Sequence, residues 1–161
     1  MRAIDAVSMR LFPVKCHIPL YAFDQNRLQY NAATILKRFE SMSFHNHIKI
    51  IAVLNVDLFI PAFTHVFGEA REGGKCALIS MFRLTRNVDG AKAGMPRILE
   101  RIAKVALHEA AHLFDVVHCT DAHCLMHFSM NGAAGPMDCG RIVRLSEKRS
   151  PRLLSHLSKS S

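Results

Sequence analysis

The stretch His108-Glu109-Ala110-Ala111-His112-Leu113-Phe114-Asp115-Val116-Val117-His118 decides how this chain is read. On a helix, residues four apart share a face, so the imidazoles of His108 and His112 can reach one ion, and zinc suits such ligands. Glu109 follows the first histidine, and its carboxylate is placed to take a proton from a water beside that ion and pass it on. His118 lies six residues past His112, too far along a continuing helix to meet the same ion, so the chain is expected to turn sharply between them. At this composition an accidental HExxH has a probability of about 2%, and the third histidine lowers it to about 0.1%. A metal site is therefore preferred over satisfied core histidines.

Working outward, Pro96 opens a helix that runs to about residue 114. Ile98, Ile102, Val105 and Ala106 recur along it at three- and four-residue spacing, a stripe that packs on a sheet. Residues 31–39 form a shorter helix with Ile35, Leu36 and Phe39 on one face. Residues 47–54 are apolar and β-branched with nothing to break a ladder, and they are expected to be a central strand. Residues 76–84 form a second such run, entered through Gly73-Gly74 and paired with a strand near 64–69 as a hairpin at a sheet edge. Residues 10–18 add another strand, held at an edge or bulged by Pro13. A polar loop at 87–94, a turn-rich stretch around Gly132 and Gly135-Pro136, and a weakly periodic tail interrupted by Pro151 complete the chain. The expected fold class is α/β (α+β), a small mixed sheet packed on helices, with a zinc-binding helix and a cysteine-containing C-terminal subdomain. Without repeats or low-complexity linkers, residues 1–161 are expected to form a single domain.

Half of the 161 residues are apolar and 21% are charged, which excludes a disordered chain and leaves room for one real core. No run approaches the roughly 18 apolar residues of a membrane span, and residues 1–14 lack the pattern of a cleavable leader. A soluble, cytoplasmic protein without a membrane partner is the expectation. Cys119 and Cys124 stand beside the histidines, which in a reducing compartment reads as metal binding before disulfides. Net charge is +8. More than half of that excess lies in Arg141, Arg144, Lys148, Arg149, Arg152 and Lys159 against Glu147, a solvated face in preference to a nucleic-acid contact.

The histidine segment resembles the metzincin pattern HExxHxxGxxH and, more narrowly, the archaemetzincin family, whose third histidine opens a stretch HCx4CxM. Here that stretch reads His118-Cys119-Thr120-Asp121-Ala122-His123-Cys124-Leu125-Met126. Upstream, Tyr21-Ala22-Phe23-Asp24 with Arg27 and Gln29-Tyr30-Asn31 is similar to one of the family's usual blocks. So are Val56-Asp57-Leu58, Phe67-Gly68-Glu69-Ala70, and Ile79-Ser80 with Arg83-Leu84. The resemblance covers residues 10–142 and leaves 143–161 as a basic tail. It implies a zinc metallopeptidase, a hydrolase acting on peptide or protein substrates, with one catalytic zinc on His108, His112 and His118. Glu109 would activate the zinc-bound water, and Met126 would form a Met-turn beneath the metal. It further implies a second, structural zinc on four cysteines, two of which correspond to Cys119 and Cys124. A closed thiolate site of that kind adds folding energy without doing chemistry.

Three departures bear on these expectations. Asp115 stands where the family has the turn glycine. A left-handed conformation costs an aspartate about 1 kcal/mol, so the turn is expected to survive, with Asp115 as a turn or cap residue rather than a group on the metal or its water. The family closes its structural site with CxxC about 17 residues past the methionine, whereas Cys139 comes after about 12 and Ile142 takes the place of the last cysteine. His123, Asp138, Cys16 or Cys76 are the alternatives for completing the set of Cys119, Cys124 and Cys139, although Cys16 and Cys76 read better as small buried apolar residues. Finally, the family usually has a strand and a helix before the block matched by residues 11–20, so an early sheet edge is expected to be uncovered or covered by a partner subunit.

An extended peptide is expected to pair along an exposed sheet edge at residues 76–83. Two other readings compete with the peptidase. A non-proteolytic zinc-binding protein would keep the fold, and a broad peptide-library assay separates it from an enzyme. A metal-dependent ribonuclease on a three-histidine site of pattern HGxxHxxGxDH lacks the glutamate after its first histidine, so Glu109 argues against it.

Overall fold

The computed structural model describes residues 17–42, 49–87, 89–121 and 123–127. A 3-10 turn at Leu20–Ala22 leads into a short antiparallel pair, β1 (Phe23–Asp24) and β2 (Gln29–Asn31). Helix α1 (Ala32–Glu40) follows directly because Asn31 caps it, its side-chain oxygen accepting from Thr34 N–H at 3.0 Å. Next come β3 (Ile50–Leu54), β4 (Leu58–Phe59), β5 (Gly68–Ala70), β6 (Cys76–Ser80) and helix α2 (Met95–Leu113). Pro96 lies in the first turn of α2, where its missing N–H costs nothing. Both helices thus fall within a residue or two of where periodicity puts them.

Strand β6 organises the described sheet. It pairs in parallel with β3 on one side and antiparallel with β5 on the other. All five of its residues are buried. Alternation along it feeds both faces. Cys76 and Leu78 pack with Ile35, Leu36 and Phe39 of α1, while Ile79 packs with Leu84 and Val105, and with Ile102 and Ala106 of α2. The helices therefore cover opposite faces, the small mixed α+β architecture expected. A second ladder, β1-β2-β4, abuts this one through Leu58 and Val66, which form an isolated bridge just before β5.

Two expectations about the strands are corrected. Among the described residues the central strand is β6, whereas β3 has a neighbour on one side only and leaves Val53 50% exposed. The hairpin of β5 and β6 forms, turning at Gly73 with φ +67°, but of its two strands β5, not β6, lies at an edge among the described residues. Residues 76–80 have both backbone edges paired and cannot take a peptide as an added strand; the edge beside α2 belongs to β5. Composition fails here because a buried strand and a flanking one draw on the same apolar residues, and hydrogen-bonded neighbours are set by tertiary packing. The greater part of the strand expected at 10–18 lies outside the described residues. So do Cys16, Gly132, Gly135, Asp138, Cys139, Ile142 and the basic tail.

One polar network ties the two ladders together. Asp57 accepts from Gln29 Nε2 at 3.0 Å and from Arg83 Nε and Nη2, each at 2.7 Å. Burial pushes the Asp57 carboxyl up, but the hydrogen bonds from Arg83 and Gln29 and the Arg83 charge outweigh it and hold it below the ordinary value. A depressed carboxylate stabilises the fold fully above its unfolded value, 3.8, and that contribution is lost as pH falls through the folded value. Arg83 is 41% exposed, so solvent screening limits the contribution to about 1 kcal/mol. Asp57→Asn is expected to lower neutral-pH stability by about that amount and to flatten the loss of stability below pH 4. Urea midpoints of parent and variant measured across that range check both.

Candidate metal centre

The C-terminal end of α2 carries the histidines, and the way the helix stops sets the geometry. Asp115 N–H donates to His112 O at 3.0 Å and Val116 N–H to Ala111 O at 3.1 Å, the pair of bonds that closes a helix with a Schellman turn. The residue after the cap of such a turn is left-handed, and Asp115 has φ +60°. Asp115 therefore adopts the conformation that the family's glycine leads one to expect. Its carboxylate is accommodated by a glycine elsewhere: a Cβ on Gly73 would lie 2.6 Å from Asp115 Oδ1. Gly73 N–H also donates to His112 O at 2.9 Å, which pins the β5–β6 turn to the helix end.

With the helix stopped there, His118 folds back onto the rings of the last turn. His112 Nε2 lies 3.1 Å from His108 Nε2 and 3.2 Å from His118 Nε2. The three donor atoms all fall within 4.8 Å of one another. On the other side of the rings, His108 Nδ1 meets Leu125 O and His112 Nδ1 meets Val116 O, both at 2.8 Å. A carbonyl oxygen only accepts, so each Nδ1 carries the proton and each neutral Nε2 presents a lone pair. Lone pairs facing one another across 3.1 Å repel unless a cation lies between them. Two nitrogens about 2.0–2.1 Å from a tetrahedral zinc stand about 3.3 Å apart, close to both spacings. The donor set fits zinc.

Electrostatics agree with neutral ligands. Burial, with the neighbouring His108 and His118, pushes the His112 pKa down to about 4. His108 is lowered by burial, opposed by its bond to Leu125, and His118 by burial, opposed by the charge of Glu72. Glu109 is 6% exposed, and burial, together with the charge of Glu69, pushes its carboxyl up to about 8. A divalent cation on the next residue would pull that value back toward neutrality. The carboxyl occupies space that Gly68 leaves empty, since a Cβ there would fall 2.5 Å from Glu109 Oε1.

The segment after His118 returns to the site through Leu125. Met126 is 3% exposed, its carbonyl accepts from Cys119 N–H at 2.8 Å, and the preceding Leu125 carbonyl holds His108. Cys119 and Cys124 are adjacent thiols, neither in a disulfide, whereas Cys76 is buried in the core beside α1 as a small apolar residue. Sequence reasoning gave Gly73 only a place in a turn and assigned no role to Gly68 or to the carbonyls of Val116 and Leu125. The glycines lay in stretches already singled out, but a backbone carbonyl carries no mark in the sequence.

A small α+β domain with a helix-borne HExxH and a third histidine converging on it defines the class of zinc-dependent peptidase folds. Residues 8–133 match the pattern of peptidase family M54, and the chain belongs to that family. It is 35% identical to archaemetzincin of Methanocaldococcus jannaschii over 115 residues, 71% of this chain and 62% of that protein. The fold matches archaemetzincin of Methanopyrus kandleri with a TM-score of 0.62 and 32% identity, over 70% of this chain and 58% of that one. A zinc-dependent peptidase of Methanocorpusculum labreanum gives a TM-score of 0.61 and 31% identity, with 70% of each chain covered. The chain spans about three fifths of the length of the curated relatives it matches.

Proposed function

We propose that this chain is a zinc-dependent metallopeptidase of archaemetzincin type in which Glu109 is the general base. The observation that carries the reading is the convergence of three Nε2 atoms at the end of α2, the helix that also carries the buried Glu109. His108, His112 and His118 would hold the zinc, with the Leu125 and Val116 carbonyls fixing the tautomer of the first two. Zinc, when bound, supplies Lewis acidity that polarises a carbonyl and lowers the pKa of a coordinated water to about 7. The Glu109 carboxylate accepts a proton and returns it to the departing amine, a task for which a value near neutrality is suited. An extended peptide has the edge of β5 to pair with, one strand from Gly68 and the Glu109 carboxyl. Peptides or proteins are the substrate class that membership of a peptidase family implies, and no helix among the described residues is long and apolar enough to cross a membrane.

The test is a broad peptide library offered to the zinc-loaded full chain. Cleavage is expected, is lost on chelation and returns with zinc. Zinc-loaded, folded protein that cleaves nothing in the library would leave the competing reading, a zinc-binding protein without proteolysis.

Gly68→Ala is a sharper probe of the base. The new methyl would sit 2.5–2.7 Å from three atoms of the Glu109 side chain, which must move to admit it. Hydrolysis is expected to fall about 100-fold from misplacement of the base, with about 1–3 kcal/mol of overpacking and zinc content unchanged. Parallel measurement of kcat/KM, zinc per chain and thermal midpoint separates these effects.

A further inference from the structure

Strand β5 carries a carboxylate at the open edge of the sheet, and its register with β6 decides which backbone groups are free there. Ser80 N–H donates to Phe67 O at 2.8 Å, so Phe67 and Ser80 belong to a hydrogen-bonded pair. Such pairs alternate along an antiparallel ladder with pairs that are not hydrogen-bonded. Glu69, opposite Leu78, therefore also turns its N–H and C=O inward to β6, whereas Gly68 and Ala70, opposite Ile79 and Ala77, turn theirs outward. A peptide added antiparallel at this edge bonds to Gly68 and Ala70 and meets Glu69 in a non-hydrogen-bonded pair. That is the closer kind, with Cα atoms about 4.5 Å apart and the two side chains on one face.

The two faces at this edge differ. Ile79 packs on α2, and a Cβ on its partner Gly68 would fall 2.5 Å from Glu109 Oε1. The peptide residue bonded to Gly68 is thus the one beside the Glu109 carboxyl. Leu78 packs on α1, and directly opposite side chains share a face, so Glu69 lies on that side of the sheet with Arg71. Arg71 is held by Glu40 at 3.0 Å, and Glu69 takes part in none of the ion pairs among the described residues. Burial pushes the Glu69 carboxyl up, opposed by the Arg71 charge. A half-buried carboxylate with no cation in contact gains from one brought by a ligand, because folding has already stripped part of its water.

We propose that Glu69 determines substrate specificity, selecting arginine or lysine in the peptide residue that lies opposite it, next to the residue beside Glu109. The inference rests on the peptidase reading above and names its substrate class: peptides with a basic residue within two positions of the cleaved bond. Arginine is favoured over lysine, because its planar fork can meet both carboxylate oxygens.

The test offers the zinc-loaded full chain peptides in which Arg, Gln and Glu are varied at each position around the cleaved bond. At one position within that range kcat/KM is expected to be about 10-fold higher for Arg than for Gln, the scale of a hydrogen bond to a charged group. Glu69→Gln is expected to bring that ratio to about 1, and Glu69→Arg to favour Glu there. A role in folding alone would scale hydrolysis of all the peptides together and leave the ratio unchanged. Binding of the same peptides to the zinc-loaded Glu109→Gln chain, read by fluorescence anisotropy, carries the same expectation without turnover. If the parent cleaves nothing, yet that chain binds Arg peptides more tightly than Gln peptides and adding Glu69→Gln removes the difference, the peptidase reading falls and Glu69 keeps its role. No preference for a basic residue in either measurement, or a preference that persists in Glu69→Gln, overturns the assignment.

Discussion

Glu109→Gln is expected to keep the zinc of the parent and to lower kcat/KM for peptide hydrolysis by about 10²- to 10⁴-fold. The amide matches the carboxyl in shape, so it fills the same space beside Gly68 and preserves the packing of α2 on β5. What it lacks is a basic oxygen. In the metal-free chain burial and the Glu69 charge push the Glu109 carboxyl up to about 8, so at pH 7 folding must protonate an acid that is ionised in the unfolded chain; the neutral amide is spared that cost, and the apo variant is expected to be at least as stable as the parent. Activity and stability therefore separate in this variant. Zinc per chain by elemental analysis, the apo thermal midpoint and hydrolysis rate form the complete measurement. Undiminished cleavage at full zinc content would remove Glu109 from the mechanism, whereas lost zinc would move it to a structural role.

The second large effect is expected from His112→Ala. His112 is 6% exposed, and its Nε2 is the atom within 3.2 Å of both other ring nitrogens. Its removal leaves two donors, and the bond from Nδ1 to the Val116 carbonyl that orients the turn goes with it. Zinc content is expected to fall by one per chain and hydrolysis to become undetectable. The variant also loses the stabilisation that a ligand confers on the folded state, about 2.7 kcal/mol at a hundredfold excess of zinc over its dissociation constant. Thermal midpoints with zinc and with chelator show this directly: the parent shifts between the two, and the variant shifts less. A variant that keeps the parent's zinc count and midpoint shift would place the ion elsewhere.

Asp115 shows how a departure from a family pattern can be read. Taken alone, an aspartate in the glycine position raises the question whether the helix still turns. The structure answers it with two glycine-type conformations in contact, Asp115 at φ +60° and Gly73 at φ +67°, with the Asp115 carboxylate where a Gly73 side chain would stand. The side chain gained at one position is matched by the one withheld at the other. No local rule relates residues 73 and 115.

Much of the site was legible in the chain because its information is local. A four-residue spacing on a helix puts His108 and His112 on one face whatever surrounds them, and the place of Glu109 and the turn before His118 follow from positions along the same short stretch, whereas Met126 was singled out only by the resemblance to the family. The helices were legible for the same reason: Asn31 and Pro96 mark their starts, and apolar periodicity marks their buried faces. Tertiary structure alone decided that β6 rather than β3 is central among the described residues, that β5 provides the edge beside α2, and that Gly68 makes room for the Glu109 carboxyl. It also supplied the Leu125 and Val116 carbonyls that orient the imidazoles. The physical reason is that helical contacts are made between neighbours in sequence, whereas strand order, glycine clearances and carbonyl partners depend on backbone groups that nearly every residue carries alike, so only the folded chain can select among them.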